Sequence, residues 1–163
     1  MIIKTVAGKV LAAMAFAGIA IAVGGQSANA ATAQTTFQVS ATVTATCSMA
    51  AGPLSFGNYT GAQNDASSVI NVNCTNGTTP TVIADNGLHS LGGTRNMQDP
   101  GANNLSYGIF TDAARSAAFP IGAPGVTAGA NGATAITVFG RIPANQNPPA
   151  GSYLDTITVI ITY

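Results

Sequence analysis

Residues 151–163 read Gly-Ser-Tyr-Leu-Asp-Thr-Ile-Thr-Val-Ile-Ile-Thr-Tyr, and this stretch decides the fold class. Its side chains alternate, and one face carries Ile157, Val159, Ile161 and Tyr163. A period of two residues is the geometry of a β-strand with one buried face. The sequence stops on this strand without a polar tail. Because an open apolar edge aggregates, we expect the strand to be docked in a sheet or to await a partner strand.

A second alternating segment, Thr35–Thr46, lies near the other end of the sequence. Its apolar face carries Phe37, Val39, Ala41, Val43 and Ala45. Further short strands are predicted between these two ends, at residues 68–74, 79–84, 105–111 and 133–142, separated by segments rich in Gly, Pro, Asn and Asp. About seven short strands with turn signals between them predict a single all-β domain of the sandwich type.

The first thirty residues have the features of a secretory signal peptide. Lys4 and Lys9 supply the positive start, and the apolar run Val10–Val23 follows them. Ala28-Asn29-Ala30 fits the small-x-small cleavage rule, so we expect residues 1–30 to be removed and the mature chain to begin at Ala31. The alternative is an uncleaved membrane anchor, which we favour less because a spanning helix needs about 20 apolar residues.

The charge of residues 31–163 is low and slightly negative. Three Arg and five Asp residues, with no Lys and no Glu, give a formal net charge of −2. A basic surface for nucleic acid or anionic lipid is therefore excluded, and we expect no membrane insertion of the mature chain. The richness in Thr, Ala, Gly and Asn favours strands and turns over helices.

The two cysteines, Cys47 and Cys74, are 27 positions apart. In an exported protein an isolated pair is most simply a disulfide, which would stabilise the fold by roughly 3 kcal/mol. The alternatives are a redox pair or half of a metal site. Neither has support, because the sequence has no Cys-x-x-Cys and its single histidine, His89, lies in a Gly-rich segment.

No catalytic constellation can be assembled from the titratable residues. Asp112 and Arg115 could form a site, but we favour a turn cap with a surface ion pair. Three aromatic residues could line a ligand groove, although core packing is the more common role; they are Tyr107, Phe110 and Phe139. We therefore expect no enzyme activity, no cofactor and no metal.

Three segments in this order carry a resemblance to a known family. They are Tyr107-Gly-Ile-Phe-Thr-Asp-Ala-Ala-Arg115, Ile136-Thr-Val-Phe-Gly-Arg-Ile-Pro143 and Pro149-Ala-Gly-Ser-Tyr-Leu-Asp-Thr-Ile-Thr-Val-Ile-Ile-Thr-Tyr163. Cys47 and the segment Leu54-Ser-Phe-Gly57 also match. Together they resemble the spore coat protein U domain, the subunit fold of archaic chaperone–usher pili.

The resemblance implies an incomplete immunoglobulin-like β-sandwich that lacks its last strand. A periplasmic chaperone would fill the open groove with a strand of its own. At the outer-membrane usher, the N-terminal segment of the next subunit would replace that strand, and a head-to-tail homopolymer, or a polymer with other pilins, would grow by strand addition. The implied location is a cell-surface pilus reached through the periplasm, and the implied role is adhesion and biofilm formation.

The same resemblance implies a role for both alternating segments. Residues 31–41 are the expected donor strand and residues 42–163 the pilin domain. The groove-filling side chains would be Phe37, Val39, Ala41 and Val43. The edge of the groove, for chaperone or donor, would carry Ile157, Val159, Ile161 and Tyr163, with the carboxylate of Tyr163 held by basic residues of the chaperone.

The alternative function is a secreted, monomeric carbohydrate-binding β-sandwich. Such a module would keep the first alternating segment in its own sheet and would be stable alone. A pilin would be unstable alone and would be rescued by a donor peptide.

Overall fold

The computed structural model describes residues 30–130 and 132–163, so the predicted signal peptide lies outside the described residues except for Ala30. The chain divides into two units between Ser40 and Ala41. In the first, residues 30–40 form no helix or strand, and their side chains are exposed. The second unit holds all the regular structure that is described.

Eight β-strands and no helix occur in the described part of Ala41–Tyr163. In chain order they are β1 (Cys47–Ala51), β2 (Asn64–Cys74), β3 (Thr81–Ala84), β4 (Arg95–Gln98), β5 (Asn104–Phe110), β6 (Val126–Thr127), β7 (Ala133–Ile142) and β8 (Val159–Thr162).

The strands form two antiparallel sheets. The larger has the order β1-β2-β7-β5-β4, and its longest pairing joins β2 to β7, from Asn64 opposite Ile142 to Asn73 opposite Ala133. The smaller has the order β6-β3-β8, in which Val82 lies opposite both Val126 and Ile161. Strands β1 and β8 are therefore each at an edge of their sheet.

One hydrophobic core joins the two sheets. Alternate residues of β2, β5 and β7 point inward and meet Val82 and Ala84 of β3. Phe119, from the segment between β5 and β6, is also fully buried. The larger sheet supplies most of the buried side chains: Ile70, Val72, Leu105, Tyr107, Ile109, Ile136, Val138 and Ile142. The prediction of an all-β sandwich is confirmed.

The predicted disulfide is confirmed. Cys47 and Cys74 lie directly opposite each other in the β1–β2 ladder, and their sulfur atoms are bonded. The bond fastens the first residue of β1 to the last residue of β2. It thereby holds an edge strand that, among the described strands, has a ladder neighbour on one side only.

The sequence predicts one strand over residues 35–46. The structure differs, since the first strand that it describes begins at Cys47. A strand exists only where its backbone groups meet those of a neighbour. Residues near Cys47 are held instead by Thr75. Its backbone N–H donates to the carbonyl of Thr46 at 2.8 Å, its Oγ1 accepts the N–H of Thr46 at 3.1 Å, and the same hydroxyl lies 3.2 Å from the carbonyl oxygen of Thr44.

Two strands, β4 and β6, lie in segments for which the sequence predicts loops. Strand β4 reads Arg-Asn-Met-Gln and shows no apolar alternation, since its buried side chains are Arg95 and Asn96. The hydroxyl of Ser106 donates to Oδ1 of Asn96 at 2.6 Å, so this burial leaves the amide oxygen bonded. Strand β6 has only two residues, too few to show a period.

Replacing both cysteines with serine should lower the free energy of unfolding by about 3 kcal/mol, because the unfolded chain regains the freedom of a 27-residue loop. Denaturant unfolding and the yield of exported protein would measure the loss. Ser48→Ala is the control, since its exposed side chain neighbours Cys47. Equal stability of the double serine variant and the wild type would contradict the role given to the disulfide.

Candidate strand-acceptor groove

A cleft of about 340 Å³ opens between the edges of the two sheets. One rim is the segment Ala51–Phe56, which continues β1. The other rim is the segment Tyr153–Val159, which leads into β8. The floor between the rims is mainly apolar and includes Ile70, Met97, Tyr107, Ile109, Phe119 and Val138. We call this cleft the groove.

The first rim is fixed against the larger sheet. Gly52 donates its N–H to the carbonyl of Val69 at 2.9 Å and accepts the hydroxyl of Ser68 at 2.8 Å. Beyond it, Leu54 and Phe56 lie so close to Gly140 of β7 that a Cβ there would come within 2.8 Å of each side chain. A glycine at this position therefore lets the rim pack directly onto the sheet. The ring of Phe56 also packs edge-on against Tyr107, with centroids 6.1 Å apart.

The second rim has an inward face and a free edge. Ile157, Val159 and Ile161 are half-buried and pack against the core, which is the face that the sequence predicts. Tyr163, predicted on the same face, is 59% exposed. Within the described residues, β8 pairs with β3 only, so its other edge offers unpaired backbone groups beside the groove.

The side of this rim away from the free edge is bonded to the loop after β3. Asp85 donates its N–H to the carbonyl of Thr158 at 2.9 Å, and its Oδ1 accepts the N–H groups of Thr158 and Gly87, each at 2.9 Å. Burial alone would raise the pKa of Asp85, but the hydrogen bonds from Thr158 and Gly87 outweigh it and lower that pKa. The carboxylate is therefore ionised at neutral pH.

A buried carboxylate, Asp155, lies in the same rim. Its side chain is 2% exposed. Oδ2 accepts the hydroxyl of Tyr107 at 2.6 Å, while Oδ1 accepts the N–H of His89 at 3.2 Å and lies 3.1 Å from its ring Nδ1. Burial, together with the bond to Asp155, raises the pKa of Tyr107 well above its usual value, so the phenol is a hydrogen-bond donor here.

The predicted donor residues are exposed. Phe37 and Val39, in the first unit, are 85% and 81% exposed, and Val43, in the second, is 82% exposed. Ala41 is exposed as well. Side chains of this kind lose apolar surface only by meeting another surface. Their role as a donor strand stays a prediction, as do the boundaries 31–41 and 42–163.

The predicted pairing of Asp112 with Arg115 is right about the turn cap and wrong about the ion pair. The carboxylate of Asp112 accepts the backbone N–H of Ser116 at 3.0 Å and that of Ala117 at 2.7 Å, as a turn cap does. Arg115 instead lies 3.4 Å from Asp65 and donates to the carbonyl of Gly140 at 2.9 Å. Its backbone φ is 58°, in the left-handed region.

The three aromatic residues considered for a ligand groove separate into two groups. Tyr107 is buried in the core and also forms part of the groove floor. Phe110 and Phe139 are half-buried, lie opposite each other on β5 and β7, and do not line the groove. The guanidinium of Arg115 lies over the Phe139 ring, 5.7 Å from its centroid, which is a cation–π contact.

No group of three or more His, Cys, Asp and Glu side chains is placed to hold a metal ion in the part of the chain that the structure describes. Among residues 30–130 and 132–163, no helix is long and apolar enough to cross a membrane.

Comparison with known proteins agrees with this geometry. Residues 33–160 match the spore coat protein U domain. The chain is 29% identical over 159 residues to Protein U of Myxococcus xanthus, a match that covers 83% of this chain and 88% of Protein U. The match spans most of the sequence, and the chain belongs to the spore coat protein U domain family.

A solved structure shows a similar fold. It is the crystal structure of the CsuC–CsuE chaperone–tip adhesion subunit pre-assembly complex from the archaic chaperone–usher Csu pili of Acinetobacter baumannii. One of its chains aligns with a TM-score of 0.59 at 25% sequence identity. The alignment covers 75% of this chain and 40% of that chain, so this protein spans less than half of the matched one.

The thermal unfolding midpoint should stay level from neutral pH down to about pH 5 and fall below about pH 4. The pKa of Asp85 is lower in the folded state, so its stabilising contribution is present above the unfolded pKa and is lost as pH falls through the folded one. Asp65 behaves in the same way, chiefly through the hydrogen bond from Arg141. Calorimetry across this range should show a shallower acid dependence for Asp85→Asn; an unchanged slope would contradict the assignment.

Proposed function

We propose that this protein is a structural subunit of a chaperone–usher pilus and polymerises by donor-strand exchange. The observation that carries the proposal is the groove, an apolar cleft bordered by the unpaired edge of β8. Strand addition to an exposed sheet edge is a general mode of peptide recognition, in which backbone hydrogen bonds give affinity and side-chain pockets give specificity.

The backbone of β8 supports the proposal first. Its groups on one side pair with β3, in the register Thr81–Thr162 to Ala84–Val159. A strand inserted along the other side would satisfy the remaining N–H and C=O groups. It would lie between β8 and the rim that continues β1, and so would complete the sandwich between the two sheet edges.

The side chains support it next. The floor of the groove is built from aliphatic and aromatic residues such as Ile109, Phe119 and Val138. A donor strand must present apolar side chains at every second position to cover such a floor. The segment with that pattern and with exposed side chains is the one that carries Phe37, Val39, Ala41 and Val43.

The donor comes from a neighbouring copy, so each subunit gives residues 31–41 and receives the same segment from the next. Because this head-to-tail contact does not close on itself, it produces filaments. The edge that carries Ile157, Val159, Ile161 and Tyr163 is the acceptor edge.

Before polymerisation, a periplasmic chaperone occupies the groove, and the outer-membrane usher exchanges the chaperone strand for the donor segment. The likeness to a chain of a chaperone–subunit complex supports the chaperone as the first partner. Export through the periplasm ends in a surface pilus that serves adhesion and biofilm formation. A secreted carbohydrate-binding monomer is disfavoured, because the open groove leaves its core uncovered.

Val39→Asp should abolish polymerisation, because it places a charge in an apolar groove at a cost of several kcal/mol. It should leave chaperone binding intact, since the chaperone contacts the groove and not the donor segment. Sedimentation and electron microscopy of the exported chain would measure polymer, and co-purification with the chaperone would measure binding.

Gln38→Asp is the matched control, because it adds the same charge at the neighbouring position on the opposite face of the alternating segment. The control should polymerise as the wild type does. Normal polymer from Val39→Asp would refute the donor assignment. Loss of polymer in both variants would show that the added charge blocks polymerisation whichever face of the segment carries it.

A further inference from the structure

Asp155 is a charged residue on the otherwise apolar inward face of the second groove rim. The inward face of the rim Tyr153–Val159 carries Tyr153, Ile157 and Val159, and Asp155 lies on the same face. A carboxylate placed among apolar side chains is costly unless all of its hydrogen-bonding capacity is used. The burial of this side chain therefore calls for dedicated partners.

The partners of Asp155 come from two separate parts of the fold. His89 lies in the loop between β3 and β4, while Tyr107 lies on β5 in the larger sheet. The short bond from the Tyr107 hydroxyl thus connects the β8 rim to the opposite sheet. This bond helps to set the distance between the rim and the floor of the groove, beside the two backbone hydrogen bonds of 2.8 and 3.1 Å between Leu154 of the rim and Gln98 of β4.

The loop is shaped around the carboxylate. Gly87 has a φ of 82°, which favours glycine, and a Cβ on it would collide with the side chain of Asp155. Two carbonyl oxygens of the β3 end, those of Ala84 and Asp85, accept hydrogen bonds from the guanidinium of Arg95 at 3.2 and 2.6 Å. Arg95 is itself buried, and its charged guanidinium fixes the backbone of this loop through these hydrogen bonds.

The loop and the rim are also joined by backbone bonds. Leu88 donates its N–H to the carbonyl of Thr156 at 3.1 Å, in addition to the bonds between Asp85 and Thr158. We call the five side chains that hold the loop, the rim and β5 together the clasp: Asp85, His89, Arg95, Tyr107 and Asp155. Tyr107 and Asp155 also line the groove.

We propose that the clasp holds the groove open and in register for an incoming strand, and that Asp155 is its central positioning residue. The inference rests on the proposed function. An empty apolar cleft is driven to close by the hydrophobic effect. A rim that is already held in place avoids part of the ordering cost when the donor strand binds, and so the bound strand leaves more slowly.

The test uses fibres of the mature chain, residues 31–163, and follows their dissociation in denaturant by gel electrophoresis of released subunits. Fibres of Asp155→Asn should release subunits about tenfold faster than the wild type, the effect of weakening one charge-assisted hydrogen-bond set. Tyr107→Phe should act in the same direction, and the double variant should be no faster than Asp155→Asn alone.

Asp65→Asn is the matched control. It removes a carboxylate that pairs with Arg141 at 2.7 Å between β2 and β7, and Asp65 does not line the groove. Its fibres should dissociate at the wild-type rate.

Hydrogen exchange on the Asp155→Asn fibres separates a positioning role from general destabilisation. Faster exchange should be confined to residues 153–162 and the donor segment, with β2 and β7 protected as in the wild type.

Fibres of Asp155→Asn that last as long as those of the wild type would overturn the inference and leave the proposed function standing. Faster exchange throughout the domain would also overturn it, since Asp155 would then be a general stabilising residue. If Asp155→Asn is not exported, Tyr107→Phe carries the test, because it keeps the carboxylate and removes a single hydroxyl. Absence of wild-type fibres would refute the proposed function, and this inference with it.

Discussion

The unpaired edge of β8 is the constraint on which the rest of this structure depends. An edge strand that covers an apolar core leaves two demands unmet, since its backbone groups lack partners and the side chains beneath it lack cover. In this chain both demands fall on one place, the groove between Tyr153–Val159 and Ala51–Phe56. A single inserted strand answers both, and for that reason we interpret the groove as an acceptor and not as a small-molecule pocket.

The features around the groove act as a frame that keeps it available. The disulfide fastens the start of β1, and Gly140 lets Leu54 and Phe56 pack directly onto β7. Opposite them, the clasp bonds the second rim to the loop after β3 and to β5. A domain held in this way presents a preformed site, which lowers the ordering cost of strand capture.

Much of this frame could be predicted from the sequence, at positions where a local pattern of residues indicates which side chains face the core or pair with each other. Strand β7 has the predicted bounds, 133–142, because Ile136, Val138 and Ile142 alternate and face the core. The inward positions before and within β8 follow from the same rule, and the disulfide follows from an isolated cysteine pair in a chain predicted to be exported.

Other parts of the structure are fixed by contacts between residues that are distant in the sequence. No local alternation of apolar and polar residues predicts these contacts. Strand β4 carries buried Arg95 and Asn96, whose partners lie in other elements. Asp155 reads as a polar residue at the start of a strand, and only the fold brings Tyr107 and His89 to it. Sequence signals did exist for part of the groove, in the aromatic Tyr107 and in the match at Leu54–Gly57, but neither shows that the two face a common cleft.

The most direct test of this account is the assembly state of the purified chain of residues 31–163, the predicted mature form, produced in an oxidising compartment without a partner. Sizing and electron microscopy would compare it with a variant that lacks residues 31–41 and with a variant in which the same residues are scrambled. The account predicts thin fibres or aggregates from the intact chain and none from either variant. A stable, cooperative monomer whose first segment is protected from hydrogen exchange would contradict it, because the sandwich would then complete itself.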